Sequence, residues 1–156
     1  MKSILLDFKT AKEPWFEELQ ALYVKKINPY WSFEVQSLKT LKQERQDKEA
    51  KKKFEETELL KKITSDDYII LFDEKGKDLD SLQFSSALEK ATLSGKKRVV
   101  FLIGGAYGVS DQIFQKAHLK VSLSKMVLNH LVAEAVVLEQ IYRGLTILNR
   151  IPYHNI

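Results

Sequence analysis

The sequence predicts an α/β fold built on a mainly parallel sheet. Two short runs, Tyr68–Asp73 and Arg98–Ile103, are continuously apolar in the way of strands covered on both faces. Segments with helical spacing fall between the strand-like ones, the order that βαβ units require. Six glycines and three prolines in 156 residues leave no room for a flexible linker, so one domain over 1–156 is expected.

The elements follow in order. Ser3–Phe8 reads as a first strand. Glu13-Pro14 opens a helix, with proline where its missing N–H does no harm, and Trp15, Leu19, Leu22 and Ile27 continue it. Trp31–Leu38 alternates apolar and polar residues, which suits a second strand. Leu41–Ile63 is expected as one long charged helix. Its pairs Glu44/Lys48, Asp47/Lys51, Glu49/Lys53 and Glu58/Lys62 stand four apart with the acid first. Such interleaved charge fits a solvated face better than a basic arm for RNA. After the strand Tyr68–Asp73, Ser81–Leu93 is helical and stops at Gly95. Arg98–Ile103 is the next strand, Ser110 caps a helix start, and Val121–Leu123 is a brief strand. Asn129 caps an apolar helix that runs to about Asn149.

Composition excludes several chemistries. Without cysteine there is no disulfide framework, thiolate nucleophile, Cys-ligated zinc or iron–sulfur cluster. The formal charge of +4 is compatible with nucleic acid without requiring it. Ile4-Leu5-Leu6 is too short for a secretory h-region, and Glu134, Glu139 and Arg143 interrupt the most apolar segment. A soluble, cytoplasmic protein with no membrane partner is expected.

Three loops stand where strands end: Phe72–Lys77, Ile103–Gly108 and Ser122–Met126. Open α/β sheets bind ligands at that edge. Gly104-Gly105 is no dinucleotide fingerprint and no G-K-[ST] follows it, so a plain turn explains the pair equally well. A doubly wound oxidoreductase is thereby excluded. His130 and Glu134 share a helix face at i and i+4, but no H-E-x-x-H or third ligand accompanies them, and no metal site is expected. The helix Leu131–Leu148 is apolar nearly all round, which calls for burial on more than one side and points to a subunit interface. The tail Ile151–Asn155 carries two proton-exchanging groups, Tyr153 and His154. Residues alone leave open whether it acts or simply frays.

Several motifs occur together. They are Ile103-Gly104-Gly105-Ala106-Tyr107-Gly108, then Ser122-Leu123-Ser124-Lys125-Met126, His130, Glu139-Gln140-Ile141-Tyr142-Arg143 and Tyr153-His154. In this order, with Phe72–Lys77 matching an L-D-x-x-G-K loop, the chain resembles the RlmH (YbeA-type) methyltransferases of the SPOUT superfamily. The likeness covers its whole length. It implies a parallel sheet flanked by helices with a C-terminal trefoil knot, a topology that chain-connection rules never predict. It implies a homodimer that binds S-adenosylmethionine and methylates N3 of a pseudouridine in the helix 69 loop of 23S rRNA, in assembled ribosomes. By position, the cofactor contacts fall on Phe72, Gly104, Leu123, Ser124, Lys125, Met126, Val127 and Leu128. His130, Arg143 and Tyr153 fall on RNA-binding positions, and Arg143, Tyr153 and His154 on catalytic ones.

Within that resemblance His154 is a candidate base for the N3 proton. Tyr153 could stack on the base. Arg143 could hold a phosphate or a developing imide anion. The chain departs from the family at Val127 and Asn129, where threonine and proline are usual, and at Glu134, where arginine is usual. Phe72 replaces a leucine. These departures carry a second reading: a ribosome-binding factor of the same fold with weakened or lost methyl transfer.

Overall fold

The computed structural model describes residues 1–8, 11–41 and 47–155. Five strands form one sheet: β1 Lys2–Phe8, β2 Ser32–Leu38, β3 Asp67–Asp78, β4 Arg98–Ile103 and β5 Leu119–Ser122. Their order is β2-β1-β4-β3-β5, and every pairing is parallel. The helices are α1 Pro14–Ile27, α2 Lys48–Leu60, α3 Ser81–Thr92, α4 Asp111–Lys116 and α5 His130–Leu148.

Alternate strand residues feed two cores, as the twofold side-chain period of a strand demands. On one face Leu5, Ile70, Phe101 and Ile103 pack with Ile27, Leu88, Leu138, Ile141 and Leu145 from α1, α3 and α5. On the other, Ile4, Leu6, Leu71, Val100 and Leu102 pack with Leu59 of α2 and Ile113 of α4. Strands buried on both faces explain the unbroken apolar runs in the sequence.

The caps follow the sequence. Ser110 accepts a bond from the Ile113 N–H, and Asn129 from those of Leu131 and Val132. Asp80 and Gln83 close a reciprocal capping box on α3. The end of α5 is less orthodox. Arg150 adopts the left-handed region (φ 56°), Arg150 N–H bonds to Ile147 O and Ile151 N–H to Thr146 O. This is a Schellman motif with arginine where glycine is usual. It turns the tail back toward α5, so the tail is ordered rather than frayed.

Four expectations need correction. The stretch Phe72–Lys77 is not a simple loop after β3. Phe72 and Lys77 both register with Val121, so residues 73–76 leave the ladder and the strand then resumes to Asp78. Gly76 permits this, because a Cβ there would lie 2.5 Å from the Val121 nitrogen. Next, β5 is Leu119–Ser122 and starts before Val121, helped by a bond from His118 N–H to Ile69 O. Third, α2 covers Lys48–Leu60 and not Leu41–Ile63; residues 42–46, including Glu44 of one expected pair, lie outside the described residues. Its face is not simply solvated. Glu55 and Glu56 are buried, and the ion pairs formed are Lys53–Glu56 and Lys61–Glu58, three apart. Finally, α5 is covered largely by its own chain, by the sheet, α1 and α3. Gly144 lets α3 approach so closely that a Cβ would meet Leu88 Cδ1 at 2.7 Å.

Candidate active site

The connections after β3, β4 and β5 leave adjacent strands at one edge of the sheet. Gly104 follows β4 at once, and a Cβ on it would lie 2.9 Å from Val109 Cγ1. Gly108, at φ +76°, closes the turn with its N–H on Gly105 O. Helix α2 buttresses this turn. The Glu55 carboxylate fills the space where a Gly105 side chain would go, and Ser110 Oγ donates to Glu56 Oε1 at 2.8 Å. Burial pushes the Glu55 carboxyl up, opposed by the Thr40 hydroxyl bond and by Lys51.

The next connection is shaped by its serines. Ser122 Oγ donates to Ser124 O, and Ser124 Oγ accepts the Met126 N–H at 2.9 Å. Met126 (79% exposed) and Val127 (92% exposed) project into solvent. Of the expected cofactor set, Gly104, Leu123, Ser124, Lys125, Met126, Val127 and Leu128 thus belong to connections at one edge. Phe72 differs: its ring is buried among Phe84 and Phe101, leaving chiefly its backbone for a ligand.

A second cluster forms at the other end of α5. Glu139 Oε1 accepts from Arg143 Nε at 2.8 Å and makes an ion pair with Arg143 Nη2 at 2.7 Å. Arg143 Nη1 lies 3.0 Å from His154 Nδ1, and the guanidinium sits 4.6 Å from the Tyr153 ring centre. Tyr153 also meets Tyr142 edge-on at 4.8 Å, and Tyr23 and Tyr30 flank Tyr142. Glu139 keeps the Arg143 guanidinium above its ordinary pKa. The Tyr23 hydroxyl is pushed up to about 12, first by burial, then by Tyr153 and the Glu139 carboxylate. The cluster therefore offers cationic donors, an imidazole and an aromatic surface, a combination suited to an unstacked base and its phosphate.

The two clusters are far apart within one chain. His130 begins α5 directly after the Ser122–Leu128 connection, and Arg143 stands thirteen residues further along the helix. At 1.5 Å per residue that is about 20 Å. The tail returns to the Arg143 end. Among the expected RNA contacts, Arg143 and Tyr153 come together and His130 does not join them.

His130 instead faces Asp7 and Glu134, its own neighbour one turn on. The third residue that the sequence did not supply locally comes from β1. His118 is structural: its Nδ1 accepts the Ile69 N–H and its ring stacks on Tyr68 at 4.8 Å. Sequence reasoning missed Glu139, Tyr23 and Asp7 as site residues. The acid-first i,i+4 spacing of Glu139 and Arg143 was a usable signal. Tyr23 and Asp7 had none, since only the fold brings them there.

Residues 1–154 match a family described as predicted SPOUT methyltransferases. The chain belongs to the SPOUT methyltransferase family. Among its relatives in that family, the ribosomal RNA large subunit methyltransferase H of Bdellovibrio bacteriovorus is 53% identical over 156 residues, covering 100% of each chain. The protein of the same name from Parabacteroides distasonis is 42% identical, covering 99% of each. A solved SpoU methyltransferase from Streptomyces viridochromogenes, AviRb in complex with AdoMet, is 13% identical with a TM-score of 0.45. It is covered over 60% of its length by 95% of this chain.

Proposed function

We propose that this SPOUT methyltransferase moves a methyl group from S-adenosylmethionine to large-subunit ribosomal RNA. The target in this reading is N3 of a pseudouridine in the helix 69 loop of 23S rRNA, within assembled ribosomes in the cytoplasm. The observation that carries methyl transfer to large-subunit ribosomal RNA is full-length identity of 53% to a ribosomal RNA large subunit methyltransferase; the N3 target follows from the motif resemblance. The reading includes a knotted C-terminal part.

The edge after β3, β4 and β5 suits the cofactor. Gly104 lets the turn after β4 fold tightly against Val109, which sets its backbone for the ligand, and Met126 and Val127 present apolar surface to an adenosine or a methionine chain. Bound S-adenosylmethionine supplies a methyl group activated by a sulfonium charge. Leu123–Leu128 and Gly104 hold and align it, which is the main demand of an in-line displacement. Tyr153 stacks on the target base, Arg143 balances the negative charge that develops as N3 loses its proton, and His154 receives that proton.

The enzyme in this reading is a homodimer. The tail and the cofactor loops of one chain lie at opposite ends of α5, so a working site pairs the loops of one subunit with the tail of the other. Trp15 and Leu22, seven residues apart on α1, and Val132 on α5 are exposed apolar groups available to cover each other across such an interface.

Calorimetric titration with S-adenosylhomocysteine, together with methyl incorporation into ribosomes lacking this modification, tests the proposal. Micromolar binding with stoichiometric transfer is expected. Binding without transfer would favour the ribosome-binding factor, and no binding would remove the cofactor assignment.

A further inference from the structure

Asp7 ends β1 next to last, His130 opens α5, and Glu134 follows one helical turn later. One ligand atom from each lies within 4.8 Å of the other two. Asp7 is 1% exposed and Glu134 fully buried. Two carboxylates and an imidazole have thus been removed from water in one spot, at high cost unless something compensates.

The compensation within the described residues is incomplete. Ser37 Oγ donates to Asp7 Oδ1 at 2.6 Å, and Gln20 Nε2 donates to Glu134 Oε1 at 3.3 Å. Each carboxylate is held by one oxygen from a neighbouring element. Glu134 Oε2 and His130 Nε2 are buried with no hydrogen-bond partner. An acceptor oxygen and a ring nitrogen, both unpartnered, with outer groups fixing the carboxylates, is the arrangement of an inner coordination set with its supporting shell.

We propose that Asp7, His130 and Glu134 bind a divalent transition-metal ion, zinc being the best fit to the ligands. One imidazole nitrogen and two carboxylate oxygens suit a borderline cation, and the nitrogen disfavours magnesium and calcium. Three protein ligands leave a fourth position for water. Tetrahedral zinc ligands stand roughly 3.4 Å apart at the usual bond lengths, so small side-chain rotations close the set. A cavity of about 350 Å³, lined in part by Trp15 and Asn129, reaches His130, while Asp7 and Glu134 lie buried behind it. The ion would tie the end of β1 to the start of α5, directly behind the Ser122–Leu128 connection. It is independent of the methyl-transfer reading.

Without an ion, burial and then Asp7 push the Glu134 carboxyl up, while burial pushes the His130 imidazole down. Lys12 is the cation acting on both. Metal ions generally compete with protons for such ligands, so binding is expected to release protons.

The test uses the full chain, stripped with a chelator and titrated with zinc chloride by calorimetry, in two buffers of different ionisation enthalpy. Cobalt(II) serves as a spectroscopic probe. One zinc per chain with proton release, a raised Tm and visible cobalt bands is expected. Glu134→Gln is isosteric with the protonated carboxyl and should fold, yet lose affinity by at least ~100-fold; His130→Gln should behave alike. Absence of stoichiometric binding by the parent overturns the proposal. So does undiminished binding by Glu134→Gln, which would put the metal elsewhere.

Discussion

Arg143 donates a hydrogen bond to His154: its Nη1 lies 3.0 Å from the imidazole Nδ1. A guanidinium has no acceptor, so Nδ1 must be the unprotonated nitrogen and Nε2 carries the hydrogen. The lone pair that a general base would use is the one Arg143 occupies. For His154 to take the N3 proton, the incoming base must displace Arg143 from Nδ1, and the freed guanidinium is then beside the charge that forms. His154→Ala should slow methyl transfer about 10²–10⁴-fold. Cofactor affinity should stay unchanged, because the proposed cofactor contacts, Gly104 and Leu123–Leu128, include no residue of the tail. Single-turnover methylation of ribosomes and a separate cofactor titration check both parts. Lost cofactor binding would mean that the tail covers the cofactor.

Glu139 holds Arg143 through two nitrogens and reaches Tyr153 OH at 3.4 Å. In the proposed reaction it acts as a positioning residue. Glu139→Ala should lower the transfer rate about 10–100-fold through misplacement, with KM for ribosomes less affected than kcat. Glu139→Gln, which keeps one acceptor, should recover part of the loss.

Gly104→Val should abolish adenosylhomocysteine binding while circular dichroism remains that of the parent. Its first added carbon already approaches Val109 within 2.9 Å, so the turn must shift. Normal binding would take Gly104 out of the cofactor site.

If each working site is shared between subunits, two dead variants should rescue each other. Mixing Gly104→Val with His154→Ala under exchange conditions should restore about a quarter of parent activity, since half the dimers are mixed and each has one intact site. Light scattering should give twice the chain mass of 18.1 kDa for the parent. A stable monomer that binds cofactor and methylates would refute the shared site.

Arg98 donates through Nε and Nη2 to the two oxygens of buried Asp67, each at 2.8 Å, and the Thr64 N–H adds a third bond. Burial alone would raise the Asp67 pKa, yet these bonds hold it below its ordinary value. The stabilisation is present above the unfolded pKa of about 3.9 and is lost as pH falls through the lower folded value. Asp67→Asn should cost about 2–3 kcal/mol near neutral pH, toward the low end for a broken buried pair because Arg98 retains water contact. The gap should close in acid. Denaturant melts of both proteins from neutral pH down to pH 2 measure it.

The β4 boundaries, the capping roles of Ser110 and Asn129 and the parallel sheet were legible because each depends on local pattern. The resumption of β3 at Lys77 was not, since it depends on Gly76 lying against Val121 of another strand. The burial of Glu55 and Glu56 was equally hidden: a charge pattern along α2 does not reveal that two carboxylates serve the turn after β4. The tail motif was visible as residues, but its grip by Glu139 and Arg143 required the chain reversal at Arg150. Asp7 looked like any polar residue near a strand end until the fold set it against His130.

That reversal has a consequence for heat tolerance. The tail is attached to the rest of the molecule through the last turn of α5, where Arg150 holds a left-handed conformation that costs an arginine more than a glycine. Helix ends open at lower free energy than cores. The final turn can therefore melt while the sheet and both cores stay intact, carrying Tyr153 and His154 away from Arg143. Warming should silence this chain before it unfolds.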